Sequence, residues 1–155
     1  MAKMLTNLCI IHQHPRILLA LKKRRFGAGK WNGYGGKVEG EETMEECLHR
    51  EVMEEGGIKI NDPVKLGILE FEFPHSGLIL ENHIYKVTDF SGEPVETEEM
   101  NPKWFSVDEL PFSSMWADDP YWMPLFLKNI KFKGRFVFDE NEKVVEHLVE
   151  EVENL

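Results

Sequence analysis

The chain is short of cysteine, of basic charge and of long apolar runs. Its 155 residues include two cysteines, Cys9 and Cys47, which form neither a CxxC pair nor a zinc-type cluster. A chain of this size needs neither disulfide staples nor a structural metal to fold, and both thiols read as reduced packing residues. Eighteen Lys and Arg stand against 28 Asp and Glu, a formal charge of −10. Sequence-independent binding to nucleic-acid phosphates needs a basic face, and so does an anionic membrane surface, so neither is expected. A small phosphate-bearing substrate stays open, because a divalent cation can bridge carboxylate to phosphate. No run of about 18 apolar residues exists to span a membrane. The first eight residues lack the apolar core of a leader. The expectation is a cytoplasmic monomer with a single domain over residues 1–155.

What is present is a succession of short apolar segments broken by Gly and Pro. Residues 4–11 and 16–22 read as a hairpin about a turn at 12–15. Five glycines between positions 27 and 36 mark backbone that passes close to something. Residues 64–73 and 78–88 read as two strands, Trp104-Phe105 as a short one and 131–138 as another. Residues 120–129 read as a helix with Pro in its first turn. Residues 143–152 fit either a helix or a strand, and the acidic tail with Glu150, Glu151 and Glu153 reads as a solvated face or a frayed end. His12 and His14 read as a surface turn, and His83 as a satisfied strand histidine. Many strands and few helices predict an α/β protein with a mixed sheet.

The strongest helical signal covers 43–56, with Thr43 and Glu46 as a capping box and Gly56-Gly57 as the stop. On a helical wheel Met44, Cys47, Leu48 and Val52 form the core-facing arc. Glu51 and Glu55 fall inside that arc, and Glu54 lies at its edge. A solvated face accounts for Glu45 and Glu46 but not for these. Two inward carboxylates repel each other and lose hydration, which a hard divalent cation between them would relieve. Gly29-Lys30 followed by Trp31 excludes a P-loop as the phosphate site.

Gly36, Glu42 and Arg50-Glu51-Val52-Met53-Glu54-Glu55-Gly56-Gly57-Ile58 follow the spacing G-x5-E-x7-R-E-U-x-E-E-x-G-U at all nine defined positions across 23 residues. That is the Nudix box, and the chain resembles the Nudix hydrolases. The resemblance implies a Nudix fold, an α/β/α sandwich with a mixed β-sheet. It implies hydrolysis of a nucleoside diphosphate linked to another group, using Mg²⁺ (or Mn²⁺) and water. Glu51, Glu54 and Glu55 would be metal ligands, with the Gly36 carbonyl as a further ligand and Glu99 an additional acidic residue near the metal. Glu55 or another nearby carboxylate would be the base, and Arg50 would orient the carboxylates.

Residues 22–38, Phe71-Glu72-Phe73 and 111–122 also resemble the oxidised purine nucleoside triphosphatases of the MutT type, in a similarity running from about residue 8 to about 138. This implies a base pocket. Asn32, Asp118 and Asp119 would bind the purine edge, and Trp116 would stack on the ring. Phe26, Phe71 and Leu80 would form walls, with Lys22 and Asn7 near the nucleotide. Two carboxylates in an aromatic pocket cannot both stay charged cheaply, so one would hold a proton and donate it. Plainer readings stand beside these: Asp118-Asp119-Pro120 as a helix cap, Trp116 and Trp122 as core, Asn32 as a turn residue. The function expected is removal of oxidised purine (deoxy)nucleoside triphosphates such as 8-oxo-dGTP and 2-hydroxy-dATP, as monophosphate and pyrophosphate. The alternatives are an RNA 5′-pyrophosphohydrolase, a general nucleoside triphosphate pyrophosphatase, or a nucleotide binder without catalysis.

Overall fold

β1 (Lys3–Gln13) and β2 (Arg16–Lys22) form the expected hairpin, with Ile11 opposite Leu18. The computed structural model describes residues 3–155. Met1 and Ala2, the start of the stretch read for a leader and of the expected domain, lie outside the described residues. β1 extends further into the turn than expected, and His12 is buried at 7% exposure rather than lying on the surface. Its ring meets His14 at 3.2 Å. Burial, with Lys86 and His14 nearby, lowers its pKa to about 4, so it is neutral.

The remaining elements follow in order: β3 (Trp31–Asn32), α1 (Met44–Gly56), β4 (Lys59–Asn61), β5 (Val64–Phe73), β6 (Leu78–Val87), β7 (Asp89–Ser91), β8 (Met100–Ser106), α2 (Asp119–Leu127), β9 (Phe132–Phe138) and β10 (Val144–Glu151). Among the described residues, eight strands join in one mixed sheet in the order β10-β9-β5-β6-β1-β2-β3, with β8 pairing β2. β1 runs parallel to β6 and β5 parallel to β9. β4 and β7 form a separate ribbon. The segment 143–152, open between helix and strand, is a strand paired to β9, so Glu150 and Glu151 are exposed on a paired strand, while Glu153 lies beyond it.

Successive residues of β1 enter different cores, as strand geometry requires. Leu8 and Ile10 pack with Trp122, Met123 and Phe126 of α2 and with the phenylalanines of β9. Cys9 and Ile11 pack with Leu48 and Val52 of α1. The two helices thus cover opposite faces, and the arrangement is the expected α/β/α one. Both cysteines are free and buried. No described helix is long and apolar enough to cross a membrane.

Candidate active site

α1 is held at both ends by its own sequence. Thr43 accepts from the Glu46 N–H at 3.1 Å, and Glu46 accepts from the Thr43 N–H at 2.8 Å, completing the capping box. At the other end Gly57 takes the left-handed conformation, φ 69°, that a helix stop needs. The helix is therefore fixed in register, with Leu48 and Val52 in the core. Glu55 is 5% exposed and Met53 is turned to solvent.

Glu55 reaches back to the glycine loop, where its Oε1 accepts the Gly35 N–H at 2.9 Å. The Lys22 ammonium lies 3.7 Å from its other oxygen and 3.9 Å from Glu99. Burial outweighs these contacts and pushes the Glu55 pKa up to about 7. Glu51 is also pushed up by burial, opposed by Arg50. Its carboxyl sits against the Gly36 backbone so closely that a Cβ there would lie 2.5 Å from Cδ. Arg50 donates to both oxygens of Glu42, at 2.7 and 3.0 Å, and to Glu51 at 2.8 Å and Glu54 at 3.3 Å. Its charge and hydrogen bonds hold Glu42 well below the usual carboxylate range, at about 2. The Gly36 carbonyl accepts the Asn7 N–H at 3.0 Å.

The five acidic or carbonyl groups named from the resemblance are thus near neighbours without forming a finished cage. Among the described residues, no three His, Cys, Asp or Glu side chains converge as they stand. Mutual repulsion explains the splay: Glu51 and Glu54 turn to Arg50, Glu55 to Gly35, and Glu99 to Arg24. The donor set is all oxygen, and Glu55 is a buried carboxylate whose burial outweighs its contacts with Lys22 and Gly35. Both features fit a hard divalent cation.

A cavity of about 460 Å³ opens beside Glu55. All nine expected nucleotide contacts (Asn7, Lys22, Phe26, Asn32, Phe71, Leu80, Trp116, Asp118 and Asp119) line it. Asp118 and Asp119 are each 3% exposed. The capping reading fails for them: Asp118 makes no side-chain cap to α2. Instead its Oδ2 accepts the Trp122 indole N–H at 2.8 Å. Both carboxyls are raised by burial, Asp119 further because Asp118 lies beside it. Trp122 is core and also borders the cavity, and Trp116 lines it with half-exposed Phe26 against it, ring centroids 5.0 Å apart. Asn32 does serve its turn, its oxygen accepting the Gly33 N–H at 2.9 Å. His83 bonds Glu81 through Nε2, but among the described residues its buried Nδ1 lacks a partner, so the satisfied reading holds for one nitrogen only.

Sequence reasoning missed the contacts that hold α1 from outside it. The Thr97 hydroxyl donates to the Glu55 carbonyl at 3.0 Å, and Tyr34 packs its ring against Gly56. No local pattern marks either residue. It also missed Asn82, which lines the cavity.

The NUDIX domain profile matches residues 4–126. The chain is 46% identical over 154 residues to an oxidized purine nucleoside triphosphate hydrolase from Danio rerio, covering 99% of this chain and 98% of that one. It is 42% identical over 150 residues to the protein of the same name from Mus musculus, covering 97% and 96%. The crystal structure of a mutator MutT protein from Bacillus halodurans matches with a TM-score of 0.85 at 26% identity, covering 95% and 97%.

Proposed function

The chain belongs to the NUDIX family, and from that premise we propose that it hydrolyses oxidised purine nucleoside triphosphates, such as 8-oxo-dGTP and 2-hydroxy-dATP, to monophosphate and pyrophosphate. It would thereby clear damaged precursors from the nucleotide pool, acting as a single-domain monomer. The observation that carries this reading is the buried Asp118–Asp119 pair lining the same cavity as Glu55. The near full-length similarity to two hydrolases of that name supports it.

Glu51, Glu54, Glu55 and the Gly36 carbonyl would hold the divalent cation, Mg²⁺ in this reading, with Glu99 close by. When bound, the cation neutralises polyphosphate charge and acidifies water. The protein's own groups do the rest. Arg50 keeps Glu42 and Glu51 in place. Glu55 titrates at about 7 in the metal-free fold, and with the cation bound, which favours its charged form, Glu55 or another nearby carboxylate would take the proton from the attacking water. Lys22 offsets the charge that Glu55 and Glu99 share, and its ammonium lies where a phosphate would pass. Trp116 and Phe26 supply aromatic faces for the base.

The Asp pair supplies the base reading. An oxidised guanine presents ring and amino N–H donors that want acceptors. A pair sharing one proton offers an acceptor and a donor side by side, and moving that proton adapts the pocket to differently substituted purines. Asp118→Asn would fix the donor. Activity should then fall unequally across bases, and an equal loss on all of them would refute proton sharing.

The test of the function is a hydrolysis panel in Mg²⁺ with 8-oxo-dGTP, 2-hydroxy-dATP, dGTP and triphosphorylated RNA. The oxidised nucleotides should be preferred. Equal rates on dGTP and 8-oxo-dGTP would overturn the assignment.

A further inference from the structure

Apart from tyrosine, tryptophan and cysteine, the polar side chains buried among the described residues are Asn7, His12, Glu55, Lys86, Asp118 and Asp119. Four of them, Asn7, Glu55, Asp118 and Asp119, line the nucleotide cavity. The other two, His12 and Lys86, line a second recess of about 490 Å³ together with Gln13, His14, Thr88 and Asn129. β1 runs between the two places: Thr6 and Leu8 border the cavity, and His12, near the far end of the strand, borders the recess. α2 does the same, beginning at Asp119 and ending two residues before Asn129. Its nine residues span about 14 Å, so one small ligand cannot occupy both.

A buried charge is costly unless something of opposite sign meets it. Lys86 is 6% exposed and lies on β6 opposite Ile10 of β1. Its ammonium donates to the Asn129 side-chain oxygen at 2.7 Å and lies 4.6 Å from the centre of the Phe126 ring. Both contacts favour the cation, but neither brings a negative charge. The lining contains no Asp or Glu, and no carboxylate offsets the burial that lowers the Lys86 pKa to about 8. An ammonium has three N–H donors, and Asn129 takes one. Beside it the His12 and His14 rings face each other at 3.2 Å, and the Lys86 charge helps to keep His12 neutral. All six lining side chains carry N–H or O–H donors. In a chain with 28 acidic residues, such a recess stands apart by its charge.

We infer that this recess binds a small tetrahedral oxyanion of the phosphate class, with the Lys86 ammonium as counter-charge and His14 and the Thr88 hydroxyl as further donors. The anion supplies the full negative charge that Asn129 and Phe126 do not, through charge-assisted hydrogen bonds. No residue of the recess lines the nucleotide cavity, so the site is independent of the proposed hydrolysis.

The experiment is an NMR titration of the isotope-labelled, metal-stripped protein at pH 7. Inorganic phosphate or pyrophosphate is added at an ionic strength held constant with chloride. Backbone amide shifts should saturate at residues 12–14, 86–88 and 129, with a Kd on the order of 1 mM. Whichever ion saturates at the lower concentration is the better occupant. Lys86→Met removes the charge while keeping an unbranched side chain, and should weaken binding at least about tenfold. Asn129→Asp brings the missing carboxylate from an exposed position. It should raise the melting temperature of the anion-free protein and abolish the shifts, which separates loss of the site from loss of the fold. The inference is overturned if neither ion gives saturable shifts, if chloride reproduces them, or if they centre on Lys22 and Asn32. Unchanged affinity in either folded variant overturns it as well.

Discussion

The Asp118 carboxylate accepts its hydrogen bond from the indole of Trp122, four residues on and buried in the core. Trp122 is thereby the anchor that keeps Asp118 turned into the cavity instead of onto the first turn of α2. Asp119, with only Asp118 beside it, is the group whose proton is hardest to remove.

That pair makes the free protein sensitive to pH in a defined direction. Both carboxyls have folded-state pKa values above their unfolded ones. Their contribution is fully present below the ordinary aspartate value of 3.8 and is lost as pH rises through the folded value, about 6 for Asp118. Asp119→Asn removes part of this penalty. Its unfolding free energy should gain on wild type steadily between pH 4 and 8, as measured by urea titration. A difference that does not change with pH would mean the pair is not raised together.

Arg50 is the second anchor. Its planar fork serves Glu42, Glu51 and Glu54 at once. A lysine has one point charge and cannot reproduce that geometry. Arg50→Lys should therefore fold normally but weaken cation affinity by about 10–100-fold, as losses of ligand-orienting groups do. Activity titrated against Mg²⁺ should recover toward the wild-type maximum at high metal. A low plateau at saturating metal would instead place Arg50 in the chemistry itself.

The parts legible in the sequence are those set by local rules. The capping box, the left-handed stop at Gly57 and the inward arc of α1 all follow from spacing within 15 residues. The strands of the β5–β6 hairpin follow from alternation and a four-residue turn. What was hidden depends on partners far away in the chain. The two- and three-residue strands β3, β4 and β7 exist only because a neighbour pairs them. Strand β10 presents Val144, Leu148 and Val149 in no clean period, and only pairing with β9 decides its state. His12 looked like a turn residue because its burial comes from surrounding elements rather than from its own segment. At the site, Asp118 resembled a helix cap by position, and only the direction of its side chain toward Trp122 separates the two roles. The missed Asn82 has no motif around it and stands out only once its oxygen is seen to lack a partner.

Two glycines separate site geometry from packing. Gly36→Ala would place a Cβ 2.5 Å from the Glu51 carboxyl carbon, forcing that side chain aside. A displacement of this size should reduce kcat on the order of a hundredfold while leaving the melting temperature within a few degrees. Gly67→Ala would place a Cβ 2.1 Å from the fully buried Phe132 ring, in the core away from the carboxylates. It should cost about 1–3 kcal/mol of stability through overpacking, with activity retained at low temperature. Reversed outcomes for the two variants would show that the glycine loop is a packing element and not a seat for Glu51.

Cation binding and the raised Glu55 pKa should be linked. Glu55 titrates at about 7 in the free fold against an ordinary value of 4.5, because burial disfavours its charge. Its contribution to stability is therefore present below 4.5 and disappears as pH rises through about 7. A divalent cation favours the charged form and reverses that penalty. Added Mg²⁺ should raise the wild-type melting temperature more at pH 8 than at pH 6, since at pH 6 binding must first displace a proton. Glu55→Gln has no proton to displace, so its smaller metal shift should be the same at both pH values, and its metal-free form should melt above wild type at pH 8. Thermal melts of both proteins, with and without Mg²⁺ at the two pH values, measure this directly. A wild-type metal shift independent of pH would place the cation away from Glu55.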